Sequence, residues 1–302
     1  MKIFITGATG YIGGSIAATM RDAGHEVVGL VRSDERANQA IAEGIEPIMG
    51  SLDDPDVLAR AATRAEAVIN CASSDHRGAV EAMLGAMEGT DKLFVHTSGT
   101  SIVGYPDEGE ERDGVYDEDT PFTPSPGRVE RVRINDEIIE AARRGIHTVI
   151  LCPCLIYGEG LGVNKDSMQV PWLLDVARKF GVAKHIGSGG NIWSNVHIQD
   201  LAALYLLAME KAPPGSFYFA ENGANAMREV CAAINVMMGV DGLPQSMSIE
   251  EASAEWGEGP AHHTMGSNSR VFAKRAREDL GWMPSAPSLL DEITGGCYAG
   301  GA

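Results

Sequence analysis

Thr6-Gly7-Ala8-Thr9-Gly10-Tyr11-Ile12-Gly13 decides the fold. It follows a short β-branched run, Lys2–Thr6, and opens a helical pattern, Tyr11–Ala23, that Gly24 ends. Glycines at this spacing let a chain turn tightly from strand to helix and bring its backbone against a pyrophosphate. The helix start then offers free N–H groups and the positive end of its dipole. A glycine triplet alone is a weak signal; between a strand and a helix in a βαβ unit it has the context a dinucleotide site requires. Gly7, Thr9, Gly10, Tyr11, Ile12 and Gly13 are therefore expected to bind the cofactor.

The next strand, Glu26–Val31, bears on which nicotinamide cofactor that is. An acid at its tip would hold the ribose hydroxyls of NAD, whereas arginine accommodates the 2′-phosphate of NADP. The tip reads Leu30-Val31-Arg32-Ser33, without an acid. Arg32 and Ser33 thus predict NADP, with NAD the alternative; Arg32 paired with Asp34 or Glu35 is the competing reading.

Outward from there the chain keeps alternating. Asp34–Glu43 reads as helix and Ile45–Met49 as strand, and Asp54-Pro55 marks a helix start. Ala67–Cys71, Leu93–Thr97 and His147–Leu151 are strands four to six. Such alternation builds a parallel sheet covered on both faces. The fold class is α/β, a Rossmann-type doubly wound parallel sheet with a smaller C-terminal substrate lobe. Pro106–Pro126, acidic and rich in Pro and Gly, reads as a long surface loop, and Arg128–Arg144 as a helix closed by Gly145. Beyond Gly158 the pattern is irregular, with helices near Ser167–Phe180, Ile198–Lys211, Met227–Met238 and Phe272–Gly281. Residues 1–158 are expected to form the dinucleotide domain, with 192–212 packing back on it. Residues 159–191 and 213–302 form the lobe.

With 24 Lys plus Arg against 42 Asp plus Glu, the formal charge is -18. Such a chain repels phosphate backbones, which argues against nucleic acid and anionic membrane as partners and leaves a small-molecule substrate. Five scattered cysteines make a poor disulfide framework, and Cys152-Pro153-Cys154 is not the C-x-x-C of redox or zinc sites. The chain enters a strand with no signal peptide before it, and no apolar run approaches bilayer length. A cytoplasmic protein with reduced thiols is expected.

Further segments carry a resemblance. Asn70-Cys71-Ala72, Thr97-Ser98-Gly99, Val149–Gly158, Val196-His197-Ile198-Gln199-Asp200-Leu201 and Leu280-Gly281-Trp282-x-Pro284, with the glycine loop, resemble the extended short-chain dehydrogenase/reductase superfamily, its epimerase/dehydratase-like branch. The likeness spans most of the chain. It implies a cofactor in the N-terminal sheet domain that passes Ser51, Leu52, Cys71, Ala72, Ser73, Thr97 and Pro153, a substrate cleft facing the lobe, and a homodimer. It also implies an acid/base Tyr, a Lys four residues later, and a Ser or Thr after strand five.

The chain departs from that chemistry. It has no Tyr between Tyr116 and Tyr157 and no Lys between Lys92 and Lys165. Aligned on Glu137, Val129 takes the Tyr position and Arg133 the Lys position; Gly99 takes the Ser position, beside Thr100 and Ser101. A carbonyl reaction needs a proton donor within hydrogen-bond reach. The candidates are Thr100, which otherwise caps the strand, Tyr116 in the long loop, and His76, which otherwise starts a helix. Arg133 cannot deprotonate and would anchor cofactor or substrate. Trp172, Trp193 and Arg270 are candidate substrate contacts. His262-His263 with Cys297 lacks metal-site spacing, so no metal site is expected. Three functions follow. The first is NAD(P)-dependent hydride transfer with a small carbonyl, imine or enone, without the standard pair. The others are a non-catalytic NADP-binding redox sensor and a nucleotide-sugar epimerase or dehydratase.

Overall fold

The computed structural model describes residues 1–301. Its strands are β1 (Lys2–Thr6), β2 (Glu26–Val31), β3 (Glu46–Met49), β4 (Ala67–Asn70), β5 (Leu93–Thr97), β6 (His147–Pro153), β7 (Leu155–Tyr157), β8 (Lys184–Ile186), β9 (Ile192–His197), β10 (Ser216–Ala220), β11 (Ala224–Ala226) and β12 (Gln245–Met247). Seven of them form one sheet in the order β10-β6-β5-β4-β1-β2-β3, and every pairing in it is parallel. The order reverses between β1 and β4, which opens a crevice at the carboxyl ends of these strands. β11-β9-β7 and β12-β8 make two small sheets.

A sheet buried on both faces needs apolar residues on both sides of each strand. β1 shows how this is met. Ile3 and Ile5 pack on one face with Ile16 and Met20 of α1 (Tyr11–Asp22) and with Leu201 and Leu204 of α7 (Ile198–Lys211). Phe4 packs on the other with Leu58 of α3 (Pro55–Arg64), Met83 of α4 (Arg77–Met87) and Ile134 of α5 (Val129–Ala141). A third apolar cluster forms the lobe. It joins Tyr157 and Trp193 to Leu173 of α6 (Gln169–Phe180), Val230 of α8 (Met227–Met237) and Ile293.

Two expectations change. Ser216–Ala220 falls in the 213–302 stretch expected in the lobe, yet as β10 it is the sheet's edge strand beside β6, with Tyr218 and Phe219 buried. Lys274–Leu280 follows it into the same core through Ala276 and Leu280. The stretch 106–126 lies on more than the surface, because its backbone bridges outward: Tyr105 pairs with Asn268 and Tyr116 with Val271. The Asn268 side chain donates to Asp107 Oδ2 at 2.9 Å and to the Glu110 carbonyl at 2.8 Å. The Glu118 carboxylate accepts from the N–H groups of Phe219 at 2.9 Å and of Lys274 and Arg275 at 3.2 Å each. The loop is a seam between sheet layer and lobe. Its fixed backbone follows from these bonds; its composition alone indicated a surface loop.

Glu118 thus serves three N–H groups, of which that of Lys274 also donates to the Phe272 carbonyl at 2.9 Å. Glu118→Ala should cost at least about 2 kcal/mol, the scale for losing charge-assisted bonds and stranding their donors. The expected readout is a lower urea midpoint at unchanged slope; an unmoved midpoint would show that the seam carries no stability.

Candidate functional site

Gly7 ends β1 with φ +76°, in the left-handed region that favours glycine. Its carbonyl accepts from the Gly10 N–H at 2.9 Å. α1 then starts so close that a Cβ on Gly13 would lie 2.3 Å from the Gly7 oxygen. Gly10, the N-cap, has no side chain to serve the helix start. The first-turn N–H groups therefore lack helical partners, and Thr9, Gly10, Tyr11, Ile12 and Gly13 line a cleft of about 1100 Å³. Free N–H groups at a dipole's positive end fit a pyrophosphate.

The cleft runs in two directions from this loop. One end reaches Arg32 and Arg36, with Ser51, Leu52 and Asp53 beside them; the middle passes Cys71, Ala72 and Ser73. Arg36 was missed in the sequence, although its place one helical turn after Arg32 was a usable signal. Ser33 caps α2 (Asp34–Ala42) by accepting from the Arg36 N–H at 3.3 Å, which fixes where Arg36 begins. The opposite wall, also unanticipated apart from Trp172, comes from Asn164, Asp166, Gln169 and Asp175. It docks directly on α1: Leu161 N–H donates to Ser15 Oγ at 3.0 Å, and Tyr11 Oη to the Gly158 carbonyl at 2.8 Å.

Beneath the floor lies a buried polar network. Thr6 Oγ1 donates to Asn70 Oδ1 at 2.6 Å and accepts from the N–H groups of Cys71 and Ala72 at 3.2 Å each. Asn70 Nδ2 meets His96 Nδ1 at 3.0 Å. Burial, aided by the charge of Arg131, pushes the His96 pKa down to about 4. The ring is neutral, so with Nδ1 accepting, the proton sits on Nε2, which has no partner among the described residues. Burial also pushes the Cys71 thiol up to about 12, so it is no thiolate nucleophile.

Several expected contacts fall elsewhere. Thr97 is buried below the cleft, its Oγ1 2.6 Å from Tyr205 Oη and 3.2 Å from Cys71 Sγ, so it holds the floor from underneath. Pro153 ends β6 inside the core, paired with Ala220; Cys154 and Ile156 reach the cleft instead. Arg133 faces solvent and pairs with Glu130 at 3.4 Å, because its side of α5 turns away from the sheet. Trp193 is a lobe core residue that donates Nε1–H to the Ser267 carbonyl at 2.8 Å. Arg270 is exposed and meets Tyr116 through its backbone. Tyr116 stacks edge-on with Phe122 and, through its bond with Tyr105, has its phenol pKa raised, which weakens it as an acid. His76 lines the cleft, but its ring is committed: Nδ1 accepts from the Ala79 N–H and Nε2 lies 3.0 Å from Asp53 Oδ1. Thr100 is buried, and its Oγ1 has no partner among the described residues.

Where a Tyr–Lys pair would stand, the first turns of α5 present arginines. Arg131 makes a two-pronged bond to Asp75, at 2.8 and 2.5 Å, and donates to Ser101 Oγ at 3.0 Å. That pairing holds the Asp75 carboxyl below the usual carboxylate range. Ser101 accepts from a guanidinium, so its own hydrogen is free for another oxygen. This Asp75–Arg131–Ser101 chain spans 56 residues and left no local motif to find.

Comparison with known proteins agrees with the fold. The NAD dependent epimerase/dehydratase family model matches residues 3–219. An uncharacterised Schizosaccharomyces pombe protein is 31% identical over 99% of this chain and 100% of its own length. The 2-alkyl-3-oxoalkanoate reductase of Stenotrophomonas maltophilia is 28% identical over 83% of this chain and 80% of its own. Among solved structures, dTDP-glucose 4,6-dehydratase from Bacillus anthracis in complex with NAD superposes with a TM-score of 0.77 over 97% of this chain and 95% of that one, at 15% identity.

His96 gives a pH test. Its folded pKa of about 4 lies below the unfolded value near 6.5. Between them only the unfolded chain binds the proton, so stability falls as pH drops through this window and levels off below it. The loss approaches about 3 kcal/mol. His96→Asn should flatten the slope of unfolding free energy by up to one proton between about pH 6 and 4.5; an unchanged slope would refute a buried neutral ring.

Proposed function

This chain belongs to the NAD-dependent epimerase/dehydratase family, and we propose that within it the chain is an NADP(H)-dependent reductase of a small carbonyl, imine or enone. One observation carries this reading: the chain has both a pyrophosphate cradle and, after β5, a Ser101 hydroxyl held by Arg131, with no Tyr or Lys in α5. A sugar epimerase or dehydratase must withdraw a proton from an alcohol, which calls for a strong base. Adding hydride to a carbonyl needs only a hydrogen-bond donor at the oxygen where negative charge develops. The resemblance to a relative named as an oxoalkanoate reductase supports the same direction.

When bound, the nicotinamide supplies or accepts the hydride. The chain does the rest. The N–H groups of the first turn of α1 hold the pyrophosphate, with Ser51, Leu52 and Cys71–Ser73 along the adenosine and ribose path. Arg32 and Arg36 take the 2′-phosphate, a role that Arg fulfils with its planar fork of donors. Asp75 orients Arg131, and Arg131 orients Ser101, whose hydrogen meets the substrate oxygen. Water delivers the final proton. Trp172 closes the apolar side of the cleft.

Two measurements test this. Arg32→Ala and Arg36→Ala should each weaken NADPH binding about 10- to 100-fold, the scale of a charge-assisted bond, while NADH binding changes little; equal losses by calorimetry would remove the NADP assignment. Ser101→Ala should lower kcat about 100-fold, as loss of an oxyanion donor does. If the wild type binds NADPH but oxidises none across a panel of carbonyls, imines and enones, a redox-sensing role becomes the better account.

A further inference from the structure

The α5 N-terminus holds a positive charge that has no ion-pair partner among the described residues. Its neighbours are all committed: Arg131 to Asp75, Arg77 to Glu130 and Glu137, Arg133 to Glu130. Arg128 is not. Half-buried, it has no carboxylate within ion-pair distance among the described residues, and its guanidinium donates only to the adjacent Gly127 carbonyl at 3.3 Å. Its Nε is buried without a partner. Burial disfavours its charge and repulsion from Arg131 adds to that, while Asp75, already bound by Arg131, offsets only part of it. His263 feels Arg128 in turn. In a chain of net charge -18, a cation left this way beside two others costs stability unless a ligand answers it.

The position says what that ligand meets. Arg131, next to Arg128, holds Ser101, and the bare Gly99 lets the Arg131 guanidinium come within 3.2 Å of where a Cβ would stand. The cofactor's phosphates have their own sites at α1 and at Arg32. An anion at Arg128 therefore belongs to the substrate, and a carboxylate matches a guanidinium fork edge to edge. We propose that Arg128 is the substrate's carboxylate anchor, so that the protein acts on small oxo acids and not on neutral ketones. Turnover of these acids rests on the reductase reading; their binding does not.

The test compares acetoacetate and 3-oxooctanoate, each beside its methyl ester, with NADPH. The acids should exceed the esters in kcat/KM. Arg128→Ala and the less disruptive Arg128→Gln should collapse the acid-to-ester ratio about 10- to 100-fold, mainly through KM for the acids, and Arg128→Lys should restore part of it. Wild type favouring the esters, or variants that lower acid and ester equally, would overturn the anchor. If no compound consumes NADPH, the reductase reading fails and calorimetric titration of the same acids into NADP-loaded protein decides alone. Binding that Arg128→Gln abolishes supports the anchor, and no binding to wild type overturns it. Binding of UDP in place of the acids, lost in Arg128→Gln, would assign the cluster to a phosphate and likewise overturn it.

Discussion

The contact between Gly13 and the Gly7 carbonyl governs much else in this molecule. With a Cβ ruled out by a 2.3 Å approach, α1 starts directly above the end of β1, and its unpaired N–H groups open on the crevice. The same closeness sets where the lobe docks. Gly162 lies on Gly14 with no room for a side chain, and Leu161 and Gly158 bond to Ser15 and Tyr11 of the same helix. One short stretch of backbone therefore forms the phosphate cradle and fixes the wall across from it. Thr6 ties this arrangement to β4 through Asn70, so the cradle's floor and edge move as one polar unit. A buried hydrogen-bonded network of this kind specifies geometry more than it adds stability.

Charge is distributed in a matching way. The excess acid lies largely where it is solvated or already paired, as with Asp119, which meets both Lys274 and Arg275. The cations that border the cleft are arginines, Arg32 and Arg36 at one end. An anionic cofactor thus has little to gain from the field of the whole protein and depends on these local groups. Local recognition of this kind keeps its strength in salt better than long-range steering does, because partly enclosed charges are screened less.

How far this was legible in the sequence differs by element. β1, β2, β5 and α7 could be read to the residue, because each is a continuous apolar run or periodic helix bounded by glycine or polar caps. β10 could not. Ser-Phe-Tyr-Phe-Ala is a short apolar run in an irregular region, and only its parallel register with β6 makes it a sheet strand. Arg77–Met87 was invisible as a helix beyond its cap, since Gly78 and Gly85 break its propensity and burial against α3 supplies what propensity lacks. In the site, the sequence pointed to the glycine turn, Arg32 and Trp172, and all of these line the cleft. Thr97 was misjudged because the motif gives a strand end but not which way its side chain faces. Arg131 was passed over for Arg133 because alignment by Glu137 counts residues, and two residues along a helix turn a side chain by more than half a circle.

That rotation bears on the chemistry. A lysine beside a tyrosine works by lowering a phenol's pKa, and both groups can carry the proton at issue. An arginine cannot let go of its own. Pairing Arg131 with Asp75 cancels most of its charge at a distance while leaving one N–H aimed at Ser101, so the pair acts as an oriented dipole more than as a free cation. A dipole of that kind polarises a hydroxyl and stabilises negative charge as it develops, without changing its own protonation across the working pH range. Such a site favours reactions in which an oxyanion forms and is later protonated by water. It disfavours those in which an alcohol must first be stripped of its proton, and this separates carbonyl reduction from sugar epimerisation on a shared fold.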